Sequence, residues 1–535
     1  MALEKEFHGP NLGYILELHQ RYLNDPTSVD EATRRLFERW SPDGVEPTLP
    51  SSVSTLSAPN LTALTGAMNL AQAIRSYGYL SAKLNPLDFA LPISADPLLT
   101  FEFHHLQKED LLDLPAEILN LPQAQGPENA HQAIEMLRSI YCGTIGYDYG
   151  HIRIPEERTW LYQTAETGRY RAPGQGVDEK KLLERLTQVE AFELFLHRIY
   201  PGKTRFSIEG LDMLIPMLDE IIAAASDEKI HEILMGMAHR GRLNVLAHIL
   251  QKPYSQILAE FSDPKGRATT WDELGWTGDV KYHMGAYRSL GQDKDFEMHV
   301  HMPPNPSHLE QIDPVIVGMA RAANTKMDAA GAPRYFENES LPIVIHGDAS
   351  FVGQGIVAET LNFSHVAGYA ISGCLHIIAN NQLGFTATDA ESRSSLHASD
   401  LAKGFEIPVI HVNADDPIAC MEAARTAFAY RQKFRKDFVI NLIGYRRYGH
   451  NEGDEPRFTQ PRMYKKIDAH PPIRQLWAET LEKDGLLSGG EADDLLQSHL
   501  KELQEANDQL DAEKALVEPV PQPPPRGAAQ KVKTA

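Results

Sequence analysis

The chain has 535 residues and a net charge of −22, with 51 Lys and Arg against 73 Asp and Glu. That balance argues against generic nucleic-acid binding, which needs a basic face, and means that an anionic substrate must be met by a local cluster of Arg, Lys and His. A hydrophobic fraction of 42% suits a soluble globular chain of roughly two to four domains. No run of about 18 apolar residues is present to span a bilayer. Cys142, Cys374 and Cys420 include no CxxC pair, which excludes a disulfide framework or zinc ribbon and suits a reducing compartment. The N-terminal MALEKEFHGPN lacks the basic and apolar regions of a signal peptide, so a bacterial-type cytoplasmic setting is expected.

Residues 1–40 read as a helical arm. Leu12, Ile15, Leu18, Tyr22 and Leu23 share one helical face, and Asp25-Pro26 breaks it before a second helix. Residues 41–60 are rich in Ser and Pro and read as a flexible linker, and 61–200 as a mostly helical domain.

From about 201 to 480 short apolar runs alternate with helical stretches, the pattern of an α/β domain with a doubly wound parallel sheet. EILMGMAHRGRLNVLAHIL gives strand, polar turn and helix, with His239 and Arg240 at the corner. Leu341 to His346 is a buried-strand run ended by Gly347-Asp348-Ala349. The Gly353-Gln354-Gly355 turn then feeds a helix bearing Ile356, Val357, Thr360 and Leu361. Cys374 to Ala379 is the return strand, closed by Asn380-Asn381. PVIHVN (408–413), a helix from Pro417 to Phe434 and FVINLIGYRR (438–447) continue the alternation. Residues 481–516 form a helical segment, charged from Glu491 and expected to face solvent along much of its surface. Residues 517–535 are a Pro-rich tail, read as disordered or as a linker.

Asp348 and Asn381 lie 33 positions apart, about one crossover unit. Neighbouring parallel strands would place their carboxyl ends roughly 4.8 Å apart, at the edge where open sheets bind ligands. A carboxylate and an amide oxygen converging there are hard donors suited to Mg²⁺, and the glycines and the following helix N-terminus suit a phosphate.

GD(G/A) followed some thirty residues later by NN resembles the signature of thiamine diphosphate enzymes. GDASFVGQGIVAETLN, HIIANNQLGFT, HVNADDP and YRRYGHNEGDEP resemble, more narrowly, the decarboxylating component of 2-oxoglutarate dehydrogenase complexes. GYILELHQRYLNDPTSVDEATRRLFERW is similar to that family's N-terminal docking arm. IRSYGYLSAKLNPL and RSIYCGTIGYDYGHI resemble the helical region ahead of its core.

The resemblance implies thiamine diphosphate and Mg²⁺ as cofactors. Asp348, the Asn381 side chain and the Leu383 carbonyl would hold the metal, and Arg240 the diphosphate. His239 of MAHRGR and His283 of KYHMG would face the oxo acid as catalytic groups, with Lys281 nearby. His308 of NPSHLE, with Ser307 as a helix cap, and His450 of YRRYGHNE would lie near the cofactor. Tyr445, Arg446 and Arg447 would alternatively form ion pairs with the acidic loop Glu452 to Glu455, and His151 takes a structural hydrogen-bonding role.

The implied reaction is oxidative decarboxylation of 2-oxoglutarate, in the tricarboxylic acid cycle, with succinyl transfer to the lipoyl acyltransferase component. The resemblance covers residues 11 to 510, the family's N-terminal half. The glutamate that acts on the aminopyrimidine ring is then expected from a C-terminal pyrimidine-binding half or subunit, within a homo- or hetero-oligomer. The alternatives are an α-type subunit of a pyruvate or branched-chain 2-oxo acid dehydrogenase, and a non-catalytic interaction module of the complex. Two departures stand out: Ala349 where the wider class often has Gly, and Ser350 where a small apolar residue is usual.

Overall fold

The computed structural model describes residues 11–37, 58–89, 96–122, 126–171, 176–262, 280–293, 296–327 and 331–511. Most of the Ser/Pro-rich linker and the whole Pro-rich tail lie outside them. The chain divides into two compact units, Met1–Ala63 and Leu64–Ala535. The first contains helices Asn11–Asn24 and Glu31–Phe37 around a 3₁₀ turn, Pro26–Ser28. Asp25 sets that break, its carboxylate accepting from the Thr27 N–H at 2.9 Å, and the His19 and Tyr22 rings pack on Phe37.

An eight-stranded sheet organises the second unit. Its strands are β1 (Ile145–Asp148), β2 (Glu232–Met237), β3 (Ala286–Asp293), β4 (Phe296–Met302), β5 (Ser340–Gly347), β6 (Leu375–Asn380), β7 (Val409–Asn413) and β8 (Phe438–Ile443). They lie in the order β1-β7-β8-β6-β5-β2-β4-β3. The inner pairs are parallel, and antiparallel pairs close both ends. β6, β7 and β8 are buried at every residue, as strands covered on both faces must be. Ile312, Ile316 and Ala320 of helix Ile312–Ala323 cluster with Leu234 and Val344. Val357 and Leu361 cluster with Ile378, Val409 and Val439.

Two details are added to the reading of the sequence. The 61–200 region is mostly helical but also supplies β1, which pairs antiparallel with β7 along the sheet edge. The segment from Glu491 exposes most of its residues, yet helix Glu491–Asp508 buries Ala492, Leu496, Leu500 and Leu503. That stripe recurs every three to four residues and packs on helix Glu179–Ile199. The high charge sits on the remaining faces and masks the stripe in composition. Among the described residues no helix is long and apolar enough to cross a membrane.

Gly444 follows β8 directly, and its backbone passes so close to Gly210 that a β-carbon would overlap the Gly210 carbonyl and come within 2.7 Å of Leu211 Cδ2. Gly444→Ala is expected to lower stability by about 1–3 kcal/mol through overpacking, read as a shift in the urea midpoint at unchanged slope.

Candidate active site

The β5–β6 ladder pairs Gly347 with Ala379, so the chain leaves both strands at the same level of the sheet. Asp348 follows at once, as the first residue of a six-residue helix, Asp348–Gly353, rather than in an open turn. The backbone N–H of Asn381 lies near that carboxylate and favours its charged form, so the two corners approach each other. The Asp348 side chain is 3% exposed, and Oδ2 has no hydrogen-bond partner among the described residues. Burial, then the charge of Asp389, raises its pKa to about 6 against the opposing pull of Arg393, whose Nη1 lies 3.8 Å from Oδ2.

The second corner is held by its own side chains. Gln382 adopts φ +65°, a conformation a non-glycine residue keeps only when anchored. Its amide donates to the Gly444 carbonyl at 2.6 Å and accepts from Asn85 Nδ2 at 2.7 Å. Asn381 is buried, and its Oδ1 accepts the Leu383 N–H at 3.2 Å, which leaves one lone pair on that oxygen. Leu383 begins a short ladder, Leu383–Gly384 with Ala387–Thr388. A β-carbon on Gly384 would meet Ala349 Cβ at 2.6 Å, so the 347–349 and 383–384 segments abut. An orphaned carboxylate oxygen and an amide oxygen are thus carried by abutting segments, a donor pair that fits a hard divalent cation.

At the end of β2, His239 and Arg240 occupy the turn before Gly241, which has φ +77°. Arg240 donates from Nη1 to the Ser207 carbonyl at 3.0 Å and from Nη2 to the His450 carbonyl at 2.8 Å. It therefore joins the 205–212 loop to the 445–455 loop. Burial and the nearby Arg446 lower its pKa to about 10, so it stays charged. The His239 ring lies 4.0 Å from that of Phe206 and 5.5 Å from that of His450. Burial, with Arg240, His450 and His283 adding to it, drives the His239 pKa down to about 3. His450 packs on Phe206 and Phe385 and falls to about 4, from burial and then Arg240 and Arg446. Both imidazoles are neutral at physiological pH, available as acceptors and as hydrogen-bonding groups.

His283 pairs through Nδ1 with the Asn305 carbonyl at 2.8 Å, and the charge it exerts on His239 places it in the same neighbourhood. His308 is exposed, and Ser307 caps nothing: helix Ile312–Ala323 starts later, after Gln311, without a side-chain cap. From the same loop the buried Glu310 turns inward, accepting from Ser350 Oγ and from His346 Nδ1. Lys281 is buried with Nζ 4.5 Å from the centre of the Phe261 ring. His151 reaches the Ile407 carbonyl at 2.7 Å.

The arginines after β8 do not pair with the acidic loop. Arg446 donates to the carbonyls of Phe385 and Tyr448, and Arg447 to the Tyr445 hydroxyl and the His470 carbonyl. Glu452 pairs instead with Arg205 and His197, and Glu455 with Arg457. Four residues around the site carried no usable sign in the sequence: Phe206, Gln382, Asp389 and Arg393. Only the four-residue spacing of Asp389 and Arg393 hinted at a pair, and nothing in it pointed to Asp348.

A family profile described as the dehydrogenase E1 component matches residues 185–518, more than half of the chain. The chain belongs to the dehydrogenase E1 component family. It is 46% identical over 497 residues to the 2-oxoglutarate dehydrogenase E1 component of Shouchella clausii, covering 91% of this chain and 52% of that protein. The corresponding protein of Geobacillus kaustophilus is 45% identical over 522 residues, at 94% and 55% coverage. That of Bacillus subtilis is 43% identical over 519 residues, at 95% and 55%. This E1 chain spans about half the length of the curated relatives it matches.

The 205–212 loop that supports Arg240 carries two buried acids. Burial, then the charge of Glu193, raises Glu209 from 4.5 to about 8, and burial raises Asp212 to about 7. The folded chain keeps the Glu209 proton across a window in which the unfolded chain has lost it, so this residue makes stability fall as pH rises from about 4.5 to about 8. Glu209→Gln is therefore expected to be more stable than the parent at pH 8, by roughly 2–4 kcal/mol, with the gain vanishing toward pH 5. Urea unfolding at the two pH values reads the difference.

Proposed function

We propose that this chain carries the Mg²⁺-diphosphate half of a thiamine diphosphate site that decarboxylates 2-oxoglutarate, with succinyl transfer to a lipoyl acyltransferase. The observation that carries the reading is the buried, unpartnered oxygen of Asp348, set against the Asn381 corner. Beside that corner, Arg240, Arg446, His239, His283 and His450 gather in a chain whose net charge is −22. An anionic ligand is what such a cluster is suited to receive.

Asp348, the Asn381 amide and the Leu383 carbonyl would hold Mg²⁺, and Arg240 would take a diphosphate oxygen. When bound, the cofactor supplies the nucleophilic carbon and the electron sink that loss of CO₂ from a 2-oxo acid requires. His239, neutral at physiological pH, and His283 hydrogen-bond the oxo acid and exchange a proton with it, while His450 lies beside the cofactor. His283, its Nδ1 engaged by Asn305, completes the polar wall. His308 stands further out, at the rim. The relatives' names support 2-oxoglutarate over pyruvate or a branched-chain acid.

In this reading a pyrimidine-binding half supplies the activating glutamate within a larger oligomer, the 1–40 arm docks to the complex, and the setting is the cytoplasm. Because the chain spans about half of its relatives' length, the activity assay includes the remaining half as a second polypeptide.

Calorimetric titration of thiamine diphosphate in the presence of Mg²⁺ tests the site. Asp348→Asn is expected to weaken binding by roughly 100-fold at an unchanged thermal midpoint, because it removes the charged metal ligand. Equal affinity in the variant and the parent would sink the assignment. His239→Asn is expected to lower kcat/KM for 2-oxoglutarate by roughly 100-fold. With the His239 pKa near 3, the loss should be the same at pH 6 and pH 8. A loss that changed between those pH values would mean that the protonated ring does the work.

A further inference from the structure

Arg393 follows a four-residue helix, Asp389–Ser392, whose start is fixed by the Thr388 N–H donating to Glu391 at 2.8 Å. Its side chain is 4% exposed. Nη2 is taken by Asp389 at 2.5 Å, whereas Nε and Nη1 are buried with no hydrogen-bond partner among the described residues. Nη1 lies 3.8 Å from Asp348 Oδ2, which also has none. That separation is too long for a hydrogen bond and short enough for a strong charge interaction in a buried setting. Two opposite charges therefore face each other, and neither spends its hydrogen-bonding capacity on the other.

The chemistry of each group says what would use that capacity. A carboxylate oxygen of this kind takes a hard cation. A guanidinium with unused N–H groups on Nε and on Nη1 matches an anion bearing several oxygens, a phosphate above all. A divalent cation reaching Asp348 by itself meets the positive charge of Arg393. One arriving with a diphosphate brings the oxygens that Arg393 lacks. We propose that Arg393 couples the two parts of the cofactor, opposing a divalent cation alone at Asp348 and favouring the cation together with a diphosphate. The proposal rests on the metal–diphosphate reading given above and adds to it the residue that makes the two ligands interdependent.

The test is the linkage between the two ligands, measured on the full chain without turnover. Free Mn²⁺ is followed by electron paramagnetic resonance, alone and at saturating thiamine diphosphate, and the ratio of the two Mn²⁺ dissociation constants is the coupling factor. Arg393→Gln is expected to tighten binding of Mn²⁺ alone by roughly 3–10-fold and to reduce the coupling factor by roughly tenfold or more. Arg393→Lys keeps the charge but loses the planar fork. It should leave binding of Mn²⁺ alone near the parent value while still lowering the coupling factor.

Asp389→Asn provides a test from the opposite direction, should the Arg393 variants not fold. It strips the guanidinium of its outer counter-charge and should weaken binding of Mn²⁺ alone. An unchanged coupling factor in Arg393→Gln, or Mn²⁺ alone binding as tightly in Asp389→Asn as in the parent, overturns the coupling and leaves the site reading standing. Absence of any Mn²⁺ binding by the parent that Asp348→Asn abolishes overturns both.

Discussion

The ladder that sets Ile343 to Gly347 of β5 beside Leu375 to Ala379 of β6 decides where two side chains far apart in sequence can be. In a parallel pair a slip of one residue turns every side chain to the opposite face, and here both faces are buried, so the register has no cheap alternative. With it fixed, Asp348 and Asn381 leave the sheet together. The N–H of one lies near the carboxylate of the other before any ligand is considered. The remaining site residues are brought to that point by loops, which are pinned by close backbone approaches and by side chains that reach backbone carbonyls. Gly444 lies against Gly210, Gly384 against Ala349, and Arg240 spans two carbonyls from different segments.

Pinning loops this tightly carries an electrostatic consequence. The partial burial of His239 and His450 beside Phe206 makes charge on the two imidazoles costly, while Arg240 keeps its charge because guanidinium is so basic. The corner is thus positive at Arg240 and neutral at His239 and His450. A fixed charge and two uncharged rings come from one physical cause acting on two kinds of side chain. The field there is set mainly by the charged groups within a few ångströms.

Elements whose information is local were legible in the sequence. The apolar runs that became β5, β6, β7 and β8, the Asp25-Pro26 break and the polar corner of His239 and Arg240 each announce themselves within a few residues. What escaped depends on chain segments that meet only after folding. Arg205 and Glu452 are 247 positions apart, and nothing near either residue says that they pair, so the local sequence offers the adjacent Arg446 and Arg447 only as alternative partners for the acidic loop. Ser307 has the residue type of a cap and the wrong position, since the 307–311 stretch is drawn inward by Glu310 before the helix can start. Helix Glu491–Asp508 hides a regular apolar stripe beneath a high charge content. Gln382 holds a left-handed backbone only because Asn85 and Gly444 anchor it from elsewhere.

Ser350 shows how a single departure from the family pattern is accommodated. A hydroxyl in place of a small apolar group must find a partner when nine-tenths buried, and Ser350 Oγ donates to Glu310. Glu310 also accepts from His346 Nδ1 at 2.7 Å, and His346 Nε2 meets His376 Nδ1 at 3.0 Å, so the hydroxyl joins a chain of polar groups that runs from the Asp348 helix across β5 to β6. Burial and the charge of Glu310 push the neighbouring Asp313 well above the ordinary carboxyl range. A small apolar residue at 350 would leave Glu310 with one donor fewer in a fully buried position. The hydroxyl therefore suits this chain, and the helix carrying Asp348 is held from below by the same residue, Glu310, that bends the 307–311 loop inward. The Asp348 corner and the loop bearing His308 are in this way parts of one hydrogen-bonded support.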